Sequence, residues 1–570
     1  MTNWRLLDRV LRRANPIEQD LVEAKVRGSI TRRDFLKRGT VIGLSAPTMA
    51  AVLAACGDSD DSGEATTTTG GSTAGTGPAA VGGTLVVANQ FGDANTGLDP
   101  VNMLDLGTYN VLSQSFEYLV GVGPDGNIGD TGLATAWEPN DDGSQWTFTL
   151  REATWQDGSP FTSADVAATM DRLVAKNNAA LGGVIGEGAV DASDPATAVF
   201  TLIEPNGNFP VLVSTFNAQA LITPADYSDG TTLDERPAGT GAWIFRDYDP
   251  STFLVRFDRN PDWWGGQTPL DSIELRGFAD IGTAVTAMQS RQIDAIQQFS
   301  VIGGEGLLDD PSFNVLTPPS SNHRQVWFHV NEGQFTDRLV RQALAWSLDR
   351  QQMVDTLFSG RAEIANDHPV LSSLPFFDPD AVEQRSRDVE QARALLAEAG
   401  VESITATIQS GDLQEIPDLA AIIQQNAAEA GFELQVNVQS NSTFYGDSWC
   451  PADGTDEQPC LNADEFGIVD YGHRPIPDVF FSSALASGGV WNSSNYANSE
   501  FDTELSNYRG AIDVAGQQAA VGRIQQILWE DVPAVYPYFF NFLSGHDASV
   551  SGMQATALGH SILSGASKSA

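Results

Sequence analysis

The sequence predicts an α/β protein with more than one lobe. Three observations carry that reading: a length of 570 residues, a composition of 41% apolar and 18% charged residues, and a strand–helix–strand succession clearest between residues 404 and 438. A single hydrophobic core stops growing well below this length, so the chain must divide. The apolar fraction is that of a globular protein with a packed interior.

The elements follow in order. Leu85-Val86-Val87-Ala88 is a short apolar run, expected as a buried strand. Thr162-Ser163-Ala164-Asp165 resembles a capping box, and Val166, Met170, Leu173 and Val174 continue at helical spacing. Asp388 opens a further helix with Val389, Ala392, Leu395, Leu396 and Ala399 on one face, and Gly400 ends it. Ile404, Ala406 and Ile408 alternate as a strand, a helix is expected from about Pro417 to Ala430, and Leu434, Val436 and Val438 alternate again. That order is a βαβ unit on a parallel sheet. No internal repeat is apparent.

The formal charge is −43; residues 1–55 hold ten Lys/Arg against five Asp/Glu, so the remainder carries −48. Such a surface repels phosphate backbones and anionic headgroups, which argues against nucleic-acid binding. Otherwise the acidity reads as a device for solubility.

The N-terminus carries an address. Arg32-Arg33 followed by Phe35-Leu36-Lys37 matches a twin-arginine export signal. The apolar stretch from Val41 to Ala55 falls short of the ~20 residues needed to span a bilayer, so it reads as a signal core rather than a membrane helix. It ends Leu53-Ala54-Ala55-Cys56-Gly57, which resembles a bacterial lipobox, with Cys56 the expected site of lipidation. Two or three acyl chains anchor stably, since each buried CH₂ contributes ~0.8 kcal/mol. Residues 56–82 are Gly/Ser/Thr/Asp-rich and should form a flexible tether spreading over roughly 28 Å.

Two further cysteines, Cys450 and Cys460, bracket a polar loop. In an exported protein a disulfide is expected there, stabilising the fold by roughly 3 kcal/mol. Free thiols or a metal pair are the alternatives, but no CxxC partner stands nearby, and no metal site is expected.

A family resemblance emerges from motifs in a shared order. Leu98-Asp99-Pro100, Phe116-Glu117-Tyr118-Leu119 and Leu133–Glu138 come first; the run Trp146–Arg151 and then Trp155–Val166 is the clearest signature. Gly239-Thr240-Gly241, Arg259–Gly265, Val340–Ala345, Asp349-Arg350 and Ala392–Gly400 continue it over about residues 83–550. The chain thus resembles the extracellular solute-binding proteins of peptide and nickel ABC importers. That resemblance implies a two-lobed periplasmic-binding-protein fold with a hinge and an additional small domain. Lobe I would comprise 83–117, 238–322 and 536–570, the extra domain 118–237 and lobe II 323–535. It further implies a small-molecule or peptide ligand in the interlobe cleft, a membrane permease as partner, a monomer, no cofactor, and a lipid-anchored position on the outer face of the cell membrane.

The resemblance also indicates where ligand would be held. In peptide-binding members a Trp is followed three residues later by an Asp that pairs with the peptide's amino group, with a Pro four residues beyond. Aligning that Pro with Pro477 puts Asp470 on the Trp position and His473 on the Asp position. A shifted alignment would let Asp470 serve instead. A histidine cannot replace a carboxylate as partner of an ammonium group. Asp470, Tyr471, His473 and Arg474, with Trp491 as a stacking surface, are the expected contacts from lobe II, and Leu104, Asp105 and Leu106 those from lobe I. If Arg474 faces the cleft a carboxylate or phosphate is favoured; if Asp470 does, a cationic amine.

No catalytic residues are expected. There is no G-x-S-x-G, H-E-x-x-H or G-x-x-x-x-G-K-[ST], and none of the six histidines pairs at helical metal-ligand spacing. A secreted hydrolase and a lipid-anchored receptor or chaperone of the same fold are the competing functions.

Overall fold

The apolar run after residue 83 forms the strand Thr84–Gln90, and its environment explains why it lacks polar alternation. It pairs in parallel with Ser272–Phe278 on one side and with the Ala295–Phe299 strand on the other. Leu85 and Val87 pack with Ile273, Leu275, Val255 and Phe257 on one face, while Ala88 packs with Met288, Ile296 and Phe299 on the other. A strand buried on both faces reads as a continuous hydrophobic run. This computed structural model describes residues 82–90, 97–103, 105–123, 127–178, 180–228, 230–450 and 459–569. The expected signal, the lipobox Cys56 and the tether up to residue 81 lie outside the described residues, as does Leu104.

The first sheet has seven strands in the order Phe313–Leu316, Leu543–Asp547, Ala295–Phe299, Thr84–Gln90, Ser272–Phe278, Leu254–Arg259, Trp243–Asp249. A strand from the far C-terminal part of the chain therefore lies inside a sheet begun at residue 84.

The second sheet runs Ala362–Ile364, Tyr538–Phe540, Asn322–Phe328, Phe466–Tyr471, Ile404–Gly411, Phe432–Gln439, with Ala534–Val535 also on Asn322–Phe328. The βαβ unit is present: Ile404–Gly411 and Phe432–Gln439 are parallel and Ile416–Ala428 lies between them in sequence. Ile404, Ala406, Ile408 and Leu434 are buried. Val438 departs from the expected alternation and is 47% exposed, because this edge strand runs past the end of the core. Asp388 caps the helix Val389–Glu398 by accepting from Gln391 N. Gly400 follows at φ 73°, a conformation glycine adopts without strain.

A third, antiparallel sheet has the order Ala134–Pro139, Gln145–Leu150, Thr197–Thr201, Val190–Asp194. Phe148, Phe200 and Phe209 meet beneath it with ring centroids 5.0–6.1 Å apart. The capping box is realised: Asp165 accepts from Thr162 N at 2.8 Å, and the helix Ser163–Ala175 buries Val166, Met170 and Leu173.

The chain passes between the first and second sheets twice, after Leu316 and after Phe540. The second passage corrects the expected boundary at 535/536. Tyr538–Phe540 still pairs within the second sheet, on Ala362–Ile364 and Asn322–His323.

Three of the sequence signatures prove to be one structural device. The part-buried Glu117 accepts from Trp263 Nε1 at 3.1 Å and Trp264 Nε1 at 2.8 Å. Arg151, from the third signature, stacks on Trp264 at 3.9 Å. Burial pushes the Glu117 carboxyl up to about 7, against the lowering effect of the two indoles, Thr240 and Arg151.

Candidate functional site

The strand Phe466–Tyr471 delivers the expected ligand segment next to the first passage between sheets. It pairs antiparallel with Asn322–Phe328, setting Tyr471 opposite His323 and Asp470 opposite Arg324. Beyond Tyr471 the chain is tied to residues at the start of the facing strand. His473 N donates to Asn322 Oδ1 at 2.7 Å, Arg474 N donates to Ser321 Oγ at 2.9 Å, and Ser321 Oγ donates to the Arg474 carbonyl at 2.6 Å. Ser321 and Asn322 went unnoticed in the sequence; the only signal was a polar Ser-Ser-Asn run at the start of a strand.

These bonds fix the state of His473. Ser321 N donates to His473 Nδ1 at 3.0 Å, so Nδ1 is the acceptor and the ring proton sits on Nε2. The residue is 7% exposed and Nε2 has no partner among the described residues. Burial first, and the Arg474 charge second, lower its pKa to about 3, so the ring is neutral. Phe216, from the chain segment of the third sheet, covers it at a ring distance of 5.6 Å.

Arg474 is half-buried. Its Nη1 donates to the His473 carbonyl at 2.9 Å, and among the described residues no carboxylate comes within ion-pair distance. Desolvation alone lowers its pKa from the usual arginine value.

Asp470 is differently placed. Tyr445 Oη donates to Oδ1, and Arg324 Nη1 lies 3.9 Å from Oδ2. Arg324 is itself buried and paired with Glu415 at 2.8 Å, and Tyr538 Oη donates to the same Glu415 carboxylate at 3.0 Å. Asp470, with its side chain 28% exposed, is thus a member of a second-lobe network rather than a free carboxylate. Tyr471 is buried between aromatic rings, 5.8 Å from Trp491 and 6.2 Å from Trp449. Its hydroxyl and the Trp449 indole N–H have no partner among the described residues.

The expected contacts from the first lobe hold structural positions of their own. Asp105 caps the helix Leu106–Ser115, accepting from Thr108 N at 2.7 Å. Its carboxylate thereby holds a helix terminus, as an Asp at that position characteristically does. Leu106 is half-buried against the first core, and its carbonyl accepts from Gln297 Nε2 at 3.1 Å. A hollow of about 330 Å³ opens nearby at the C-terminal ends of the three parallel strands, lined by Asn89, Gln90, Asp280 and Gln298 among others. None of the residues expected from the sequence to contact ligand lines it.

Cys450 and Cys460 are joined as a disulfide. The third-sheet segment also reaches the second lobe away from His473. Gly207 N donates to the Arg509 carbonyl at 2.9 Å, and Gln517 Nε2 donates to Asn208 Oδ1 at 2.9 Å. A Cβ at Gly207 would overlap the Ala511 carbonyl, so only glycine permits this approach. Among the described residues no helix is long and apolar enough to cross a membrane, and no group of three or more His, Cys, Asp or Glu is arranged to hold a metal ion.

Two sheets linked by two short passages, with polar groups gathered beside one of them, define a two-lobed binding protein of the periplasmic type. The chain belongs to the bacterial extracellular solute-binding proteins, family 5, whose model matches residues 130–469. It is 28% identical over 371 residues to a putative ABC transporter peptide-binding protein of Brucella ovis, covering 62% of this chain and 66% of that relative. It is 26% identical over 478 residues to heme-binding protein A of Haemophilus influenzae, covering 77% and 84%. The fold is similar to that of HbpA2 from Haemophilus parasuis, with TM-score 0.73 and 22% identity over 86% of this chain and 100% of that one. It is equally similar to a periplasmic murein tripeptide binding protein in its unliganded open form, with TM-score 0.74 and 22% identity over 86% and 98%.

Proposed function

We propose that this protein is the ligand-capturing component of an ABC importer, holding a small solute, by family default a peptide, between its lobes and presenting it to a membrane permease. The observation that carries this reading is the placement of His473 and Arg474. They stand at the passage between the two sheets and have donors left over, and Phe216 from the third-sheet segment covers the His473 ring. Interlobe clefts are the usual place for small-molecule sites, and closure over the ligand is the signal a permease can read.

The work is a population shift, not bond breaking, and no catalytic role is assigned to any residue. Burial holds His323, His368, His473 and His560 neutral, with pKa values of about 3 to 4. None of the four therefore offers a base poised near neutral pH. Relatives named for ABC transport and peptide binding support the importer assignment. The twin-arginine and lipobox motifs support export followed by anchoring through Cys56 on the outer face of the membrane.

The test combines two measurements. Mass spectrometry of solutes released on denaturing natively purified protein should find one small-molecule class in near-stoichiometric amount. Uptake of that class should fall in cells lacking this chain. Bound solute with unchanged uptake would make the protein a receptor; turnover of the solute into product would make it an enzyme.

A further inference from the structure

Resting on that binding role, we propose that the ligand's anchored end is a carboxylate, received by the Nε2–H of His473 and the guanidinium of Arg474. The segment would then select acids rather than amines.

The argument begins with donors and acceptors. Ser321 N occupies His473 Nδ1, which leaves Nε2–H as a donor, on a residue 7% exposed, without a partner among the described residues. Leaving a buried donor unmet is unfavourable, and an acceptor brought by the ligand would relieve it. Next to it Arg474 offers up to five N–H groups and uses one, on the His473 carbonyl. The acids that could neutralise it are committed elsewhere: Asp470 to Tyr445 and Arg324, and Glu415 to Arg324 and Tyr538.

The balance of the site is therefore one uncompensated positive charge beside one neutral donor, in a chain whose net charge is −43. An ammonium group would find no free acceptor at these two residues and a like charge beside it. A carboxylate fits the planar fork of arginine, and a second donor on the adjacent residue adds direction. Phe216, 5.6 Å from the imidazole, shields the contact from water and so strengthens it. Tyr471, two residues earlier at the end of its strand, packs on Trp491 at 5.8 Å, and this pair would supply an apolar wall for the rest of the ligand.

The experiment presents purified wild-type protein, stripped of solute by partial unfolding and refolding, with random tripeptides in three matched forms: free, N-acetylated and C-amidated. Complexes are isolated by gel filtration and the retained peptides identified by mass spectrometry. The free and N-acetylated forms should be retained and the amides weakened by about 30-fold or more, the scale of losing a desolvated charged contact. Arg474→Gln should abolish the preference for acid over amide, and Arg474→Lys, which keeps the charge but not the fork, should retain part of it. Retention of amides over N-acetylated peptides would overturn the proposal whatever the variants do. If no peptide form is retained, peptide is the wrong cargo class. The same capture with galacturonate against galactose then decides, and retention of neither, or of galactose alone, overturns the carboxylate anchor. Preference for glucose 6-phosphate over galacturonate would overturn it in favour of phosphate.

Discussion

Replacing Glu117 with glutamine should change how stability depends on pH, and the size of the change follows from its surroundings. Glu117 accepts from both the Trp263 and Trp264 indoles, and burial raises its carboxyl from 4.5 to about 7. Because the folded-state pKa lies above the unfolded one, the stability this group contributes is fully present below pH 4.5. It is lost as pH rises through about 7, where the fold must accommodate a part-buried charge. At 1.36 kcal/mol per pKa unit the loss is at most about 3 kcal/mol, less what residual solvent contact screens. Glutamine does not titrate here, but its amide presents an N–H to one of the two indoles, orphaning that donor at a cost of about 1–3 kcal/mol. Glu117→Gln should therefore be clearly less stable than wild type at pH 4.5 and nearly equal to it, or more stable, at pH 8. Urea unfolding followed by tryptophan fluorescence at half-unit pH steps measures the difference, in which all other titrating groups cancel. A gap constant to within about 0.5 kcal/mol from pH 4.5 to 8 would refute the assigned role of this carboxyl.

Three further outcomes are expected. Arg324→Met leaves Glu415 buried without its partner and should cost about 3–5 kcal/mol in chemical unfolding, much of it recovered in the double variant with Glu415→Leu. Gly207→Ala drives a methyl into the Ala511 carbonyl and should destabilise by about 1–3 kcal/mol while leaving the far-ultraviolet circular dichroism unchanged. Intact-mass analysis of the membrane fraction should show an N-terminus at an acylated Cys56, and changing Arg32-Arg33 to Lys-Lys should block export.

What was legible in the sequence was the local and the periodic. Asp388 and Gly400 bound a helix because capping and left-handed termination act within a few residues. Phe116-Glu117, Arg151 and Trp263-Trp264 could be noticed as signatures, but their meeting as one hydrogen-bonded and stacked cluster could not, since it spans three separate stretches of chain. The ligand segment shows the same limit. Asp470 stood out as an available acid, yet strand register sets it opposite Arg324, and no spacing in the sequence encodes that register. The competence of His473 as a donor depends on a backbone N–H at Ser321, which no side-chain pattern announces. Asp105 was the opposite case: its position before Leu106–Ser115 is an ordinary helix start, and capping accounts for it without a ligand.

The position of Leu543–Asp547 inside the first sheet has a consequence for the order of events during synthesis. That sheet is opened by Thr84–Gln90 and cannot close until a strand roughly 450 residues later has left the ribosome. At translation rates of about 5–20 residues per second, the gap lasts on the order of 20–90 s. The second lobe completes at Tyr538–Phe540, immediately before that strand, and the Phe313–Leu316 and Ala295–Phe299 edges, made part-way through, wait unpaired for roughly 230 residues, on the order of 10–50 s. Strand edges left open for that long are where chains join their neighbours by mistake. In a chain of this topology those two edges are therefore the places most exposed to mispairing while synthesis continues.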